Sequence, residues 1–326
     1  MTNSKQSVII GSRGSDLALW QAHHVRDLLT AAHPNLHIEI RIISTMGDRV
    51  LDSSLALIGG KGVFTKEIEN ALLDNSIDLA VHSLKDLPTD VDERLTVAAI
   101  PQRANVEDVF LSRDKHATLA TLPAGAVIAT GSLRRRSQLL HYRNDLQTVD
   151  IRGNVPTRIQ KLLDSNWDGM ILARAGVERL GLVEHVVQTI STELILPAVG
   201  QGALGIETRA NDSRMIELLL SLNDNETKTA VTAERAFLRA LGGGCQVPIG
   251  AHAKIVDDAL ELSGCIVHPN GDSILRGIKT GNAADADLIG ADLAATLLKD
   301  GGRDILDLVE RLQTEADTTI TTITKH

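Results

Sequence analysis

Strand-like and helical periods alternate through the first two hundred residues of this chain, and the alternation is broken twice. That pattern confines the chain to α/β architecture in more than one body. The first run carries a strand over 8–12, a helix over 16–32 and a strand over 37–44. Leu17, Ala18, Ala22, Val25, Leu28 and Leu29 share one face of that helix at helical spacing. A Gly-rich turn at 59–62, a helix over 65–75 and strands over 78–82 and 95–100 complete the lobe. The pattern breaks at 101–105 and resumes with strands over 109–112, 127–132, 148–152 and 170–173 and helices over 134–141 and 155–165. It breaks again at 196–202, after which 203–207 is read as a strand rejoining the first lobe. From about Asn223 the character changes to a helix over 229–241, a glycine-rich loop, three strand-like runs and a covering helix over 284–299. Asn270-Gly271 between extended runs is a hairpin signal, and the Thr-rich tail after Ala316 is read as frayed. The expected fold is α/β: two hinged lobes, 1–101 with 203–222 and 102–202, plus a small α+β C-terminal domain, 223–326, with a three-stranded antiparallel sheet.

Composition narrows what such a body binds. Six aromatics in 326 residues leave little for base-stacking platforms, so no nucleic-acid partner is expected. A formal charge of −9 means that an anion site must be a local cluster of basic groups, because screening confines a distant charge to about 8 Å. The polar start at 1–7 and the lack of a long apolar run point to a cytoplasmic protein with no membrane partner. In a reducing compartment Cys245 and Cys265 stay free thiols, and without CxxC or HExxH spacing no metal is expected.

The basic groups do cluster. Three times a strand delivers glycine and arginine straight into a helix: Gly11-Ser12-Arg13-Gly14-Ser15, Gly131-Ser132-Leu133-Arg134-Arg135, and Arg152-Gly153-Asn154-Val155. Helix starts present unpaired amides and partial positive charge, so arginines there suit an extended polyanion in a cleft between lobes. Arg158 and Arg179 carry two readings of equal weight, one along the same rim and one as solvated surface arginines. Ser83-Leu84-Lys85-Asp86 forms the exit loop of a buried-looking strand, where catalytic groups sit in α/β folds. Asp86 is read either as a surface partner of Lys85 or as a carboxylate facing a substrate that becomes cationic. Cys245 follows three glycines in a loop and reads as an attachment or nucleophilic thiol, whereas Cys265 reads as an inert strand cysteine.

Seven blocks, in order, carry a resemblance: GSRGSDLALWQA at 11–22, GGKGVFTKE at 59–67, AVHSLKDLP at 80–88, GSLRRRSQL at 131–139, IRGNVPTR at 151–158, LPAVGQGALGIE at 196–207 and GGGCQVPIG at 242–250. The sequence closely resembles the porphobilinogen deaminases. That resemblance implies two periplasmic-binding-protein-like lobes, stepwise condensation of four porphobilinogen molecules into a linear tetrapyrrole, and a covalent dipyrromethane cofactor, one per chain. It implies thioether attachment at Cys245, catalysis by Asp86, and a monomer. It implies carboxylate or cofactor contacts for Ser83, Lys85, Ser132, Arg134, Arg135 and Arg152, and substrate contacts for Arg13, Ser15, Lys61, Phe64, Arg158 and Arg179. Leu57, Gly244 and Glu178 depart from the family pattern, which touches loop flexibility and local affinity. Two rivals stand beside this reading: a non-enzymatic two-lobed binder of a small anion, and a cysteine acyl transferase using His252 or His268 as base.

Overall fold

The computed structural model describes residues 7–49, 65–243 and 247–323. Among them the chain forms thirteen strands in three sheets. The first sheet holds β1 (Ser7–Ser12), β2 (His37–Ile42), β3 (Leu79–Ser83), β4 (Leu95–Ala99) and β10 (Leu204–Arg209) in the order β2-β1-β3-β10-β4. The second holds β5 (Asp108–Leu111), β6 (Val127–Ala129), β7 (Gln147–Val149), β8 (Gly169–Ala173) and β9 (Val186–Ile190) in the order β7-β6-β8-β5-β9. In each sheet four strands run in one direction, and one inserted strand, β10 or β5, runs antiparallel to both neighbours.

The helices follow from apolar stripes on chain segments that leave the parallel strands. Helix α1 (Asp16–Ala32) buries Gln21, Ala22, Val25 and Leu29, while Leu17, Ala18 and Leu28 stay half-buried. Its stripe seals one face of the first sheet with Val8, Ile10, Leu79 and Ile206. A single turn, α2 (Met46–Arg49), precedes α3 (Lys66–Leu73), which covers the other face through Ile68 and Leu72. In the second sheet, α4 (Leu133–Tyr142) is capped by Ser132 and α5 (Val155–Asp164) by Asn154, whose side chain accepts the Thr157 N–H at 2.9 Å. Side-chain caps of this kind satisfy amides that a helix start leaves open. The short α6 (Arg174–Arg179) follows β8, and α7 (Ser213–Leu219) follows β10.

The third sheet is antiparallel, in the order β11 (Ile249–Val256), β12 (Ala259–Val267), β13 (Ile274–Asn282). Asp257 and Asp258 at φ 47° and 64° form a two-residue turn of the left-handed kind that closes β11 onto β12. At the second turn Gly271 has φ 81°, and a Cβ there would lie 2.5 Å from the His141 amide at the end of α4, so only glycine lets the hairpin tip seat on that helix. Helices α8 (Asn225–Ala240) and α9 (Ala286–Leu297) pack on the sheet around Phe237, Leu262, Ile289 and Leu293. The tail is helical where the sequence suggests fraying, as α10 (Arg303–Ile323) is anchored by Ile305, Leu306 and Val309 before its Thr-rich end.

The described chain divides into two compact units, one of residues up to 49 with 65–104 and 200–228, the other of residues 105–199 with those from 229 onward. The C-terminal sheet thus belongs with the second α/β sheet. Phe237 is fully buried, and its ring fills the space that Gly264 leaves open, where a Cβ would stand 2.7 Å from Cζ. Phe237→Ala is expected to lower the free energy of unfolding by about 3–5 kcal/mol, read from urea denaturation.

Candidate functional site

Parallel strands that each lead into a helix or turn bring those segments to one edge of the sheet, the carboxyl edge, where α/β proteins hold ligands. In the first unit β1 and β3 are parallel neighbours, so the segments holding Arg13 and Ser15 and the segment Ser83–Asp86 share that edge. A hydrogen bond ties them, since Gln21 Nε2 of α1 donates to Ser83 Oγ at 2.7 Å. Ser15 stands at the start of α1 with its hydroxyl making no cap bond, and Arg13 is half-buried beside it.

The turn Leu84–Asp86 is aimed by Leu84. Its amide donates to the Ala203 carbonyl at 3.0 Å, and its side chain, 1% exposed, lies over Gly205, where a Cβ would come within 2.9 Å of Leu84 Cδ1. With Leu84 pinned and Leu87 buried after it, Lys85 is half-buried and Asp86 points outward to solvent.

In the second unit β6, β7 and β8 are parallel neighbours, so α4, α5 and α6 start at one edge and gather Ser132, Arg134, Arg135, Arg152, Arg158 and Arg179 along it. Arg134 and Arg135 are only 4% and 6% exposed. Both reach the fully buried carboxylate of Asp108 at the head of β5, from Arg134 Nη2 at 2.9 Å and Arg135 Nη2 at 2.8 Å. Arg134 Nη1 also donates to the Leu196 carbonyl at 2.6 Å and Arg135 Nη1 to Ile171 at 3.2 Å. Burial pushes the Arg134 guanidinium below its ordinary pKa, and Arg135 adds to that push while Asp108 opposes it. Two cations and one carboxylate leave one net positive charge in a buried place at a helix start, and Arg135 Nε there has no hydrogen-bond partner. Such a charge is costly unless an anion meets it.

The remaining arginines of this edge are half-buried. Arg152 Nε donates to Asp150 at 3.2 Å, and Arg158 Nε donates to the Gly153 carbonyl at 2.7 Å. Burial lowers the Arg179 pKa to about 10, with Glu178 opposing. Burial pushes the Glu178 carboxyl up, but Asn105 and Arg174, which donate to it at 2.9 and 2.7 Å, bring it net below the ordinary range. Lys61, Phe64 and Cys245, like Leu57 and Gly244, lie outside the described residues. Cys265 is buried in β12, where burial raises its thiol pKa to about 11 and keeps it unreactive.

Sequence reasoning missed Asp108, Gln21 and Gln138. An acid opening a strand and glutamines inside helices have no marked spacing. Gln138 takes the Leu196 N–H on Oε1 at 2.8 Å and returns Nε2 to the Leu196 carbonyl at 3.1 Å.

Two mixed sheets with basic side chains at helix starts along their carboxyl edges, followed by a three-stranded antiparallel sheet, define an α/β protein with an added antiparallel domain. Residues 8–217 match the family model for the dipyrromethane cofactor binding domain of porphobilinogen deaminase, and residues 228–299 match the model for its C-terminal domain. Porphobilinogen deaminase of Syntrophotalea carbinolica is 46% identical over 303 residues, covering 93% of this chain and 96% of that protein. The porphobilinogen deaminase of Chloroherpeton thalassium is 48% identical over 306 residues, covering 93% and 97%. Among solved structures, the methionine binding protein MetQ aligns with 66% of this chain and 89% of its own, at 13% identity and a TM-score of 0.43. The chain belongs to the porphobilinogen deaminase family.

Asp108→Asn removes the shared anion and leaves two guanidinium groups buried together. It is expected to cost about 3–5 kcal/mol of stability by chemical denaturation, far more than an exposed pair such as Arg94 with Asp92 is worth.

Proposed function

We propose that this chain is a transferase, a hydroxymethylbilane synthase, that joins four porphobilinogen molecules head to tail with loss of ammonia at each step. In this reading it works in the cytoplasm as a monomer, with domains at 1–101 with 203–222, 102–202 and 223–326. The observation that carries it is the buried surplus of positive charge where Arg134 and Arg135 share Asp108, in a chain of the family whose model is a dipyrromethane cofactor binding domain. Each pyrrole of the product bears an acetate and a propionate, so a growing polycarboxylate is the kind of anion such an edge suits.

The dipyrromethane, bound through a thioether to Cys245, would supply the free electron-rich α-carbon to which the first unit is joined, each later unit joining the ring before it. The unpartnered Arg135 Nε and the free hydroxyl of Ser15 fit a ligand of carboxylates. Ser83, Lys85, Ser132, Arg134, Arg135 and Arg152 hold cofactor carboxylates. Arg13, Ser15, Lys61, Arg158 and Arg179 hold those of the incoming substrate, and Phe64 packs against the pyrrole chain. Asp86 holds the pyrrole N–H and offsets the positive charge that develops as the C–N bond to ammonia breaks and again as the new C–C bond forms. Its exposed place at the end of a rigid strand supports that role, because a carboxylate that meets a cation only in the transition state lowers the barrier without tightening substrate binding.

Intact mass of the purified protein tests the reading. An excess of two linked pyrrole units that disappears in Cys245→Ser is expected, whereas a bare chain mass that porphobilinogen does not change would overturn it. Asp86→Ala is expected to keep its fold and its adduct while kcat falls by at least about 100-fold. Arg134→Leu and Arg152→Leu are expected to block cofactor assembly or elongation, seen as missing or stalled adduct masses.

A further inference from the structure

The first sheet holds a buried polar pair with no part in the machinery described above. His82 of β3 is 6% exposed and Glu207 of β10 is fully buried, with Nε2 and Oε2 3.1 Å apart. The second carboxylate oxygen, Glu207 Oε1, is buried without a hydrogen-bond partner. A pair like this gains little over apolar side chains of the same size, and a buried acid with one oxygen unmet costs stability. Its presence in the middle of the sheet therefore points away from stability and toward the turn that β3 feeds.

Register shows how it acts. Gly205 lies across from His82, and Leu204 lies across from Ser83. Side chains alternate along strands, so His82, Gly205 and Glu207 share the face that Ala80 turns to Ile68 and Leu72 of α3. The empty place over Gly205 is filled by Leu84, the residue that pins the turn bearing Lys85 and Asp86. His82 thus borders the seat of Leu84, and the bond to Glu207 fixes its ring to the strand that forms the floor of that seat.

We propose that His82, held by Glu207, is a positioning residue for Asp86: the pair sets the seat of Leu84 and so the direction of the carboxylate. This rests on Asp86 acting in the condensation proposed above. A carboxylate displaced by about 1 Å still meets substrate but loses its alignment with the developing charge.

The test is steady-state kinetics with porphobilinogen on the cofactor-loaded double variant His82→Leu/Glu207→Leu, whose side chains are near the originals in volume. The expected result is a urea midpoint at or above wild type, an unchanged adduct mass, KM within about twofold, and kcat lower by about 10- to 100-fold. Glu207→Gln keeps an acceptor for His82 and is expected to hold most of the wild-type kcat. Wild-type kcat in the double variant overturns the proposal. If the double variant does not fold, Glu207→Met is measured in the same way, and an unchanged kcat there overturns it equally. A wild-type protein with neither adduct nor turnover would instead sink the condensation reading itself, before any variant is compared.

Discussion

One buried carboxylate organises the second unit. Asp108 heads the strand that enters the second sheet, and its two oxygens are taken by Arg134 and Arg135 from the first turn of α4. Arg134 and Gln138 then reach from that helix to Leu196, near the end of the 105–199 stretch of the same unit. The next residue, Pro197, accepts the Ala251 N–H of β11 at 3.0 Å, which couples the C-terminal sheet to the network. Close packing seals this junction, since a Cβ at Gly250 would stand 2.7 Å from Leu196 Cβ. The helix start that gathers basic groups is thereby fixed from three directions before any ligand arrives, which is what preorganised electrostatic binding needs.

The two α/β sheets repeat one solution. Each sets four strands in one direction and inserts one antiparallel strand, β10 or β5, and each inserted strand carries a fully buried acid, Glu207 or Asp108. In both cases the acid is met by a basic group on an element that meets the carboxyl edge, His82 in β3 or the arginine pair in α4. The difference lies in the surplus. His82 with Glu207 leaves an acceptor unmet, whereas the arginines leave a positive charge and a donor unmet. An excess of −9 over the whole chain is compatible with this, because a desolvated local charge dominates the potential within a few ångströms while distant surface acids are screened.

Much of the fold was legible in advance. The helix over 16–32 has the predicted bounds, and β11–β13 follow the turn residues Asp257, Asp258 and Gly271. The shorter elements were not legible: α6 has six residues with a glycine inside, and β9 begins in a run too mixed in polarity for either period. The length of α10 was also missed, because its Thr-rich end has low helix propensity and is carried by tertiary anchoring upstream.

The sequence by itself determined the α/β alternation, the basic helix starts and the exit turn at Ser83–Asp86, because periodicity, capping residues and turn chemistry are local properties. Only the tertiary structure decided that Arg134 and Arg135 spend donors on Asp108, that Leu84 aims Asp86, and that Glu207 meets His82. Those outcomes depend on residues from 26 to 125 positions apart meeting across strand pairs and helix packing. No local pattern encodes which buried acid a given base will find.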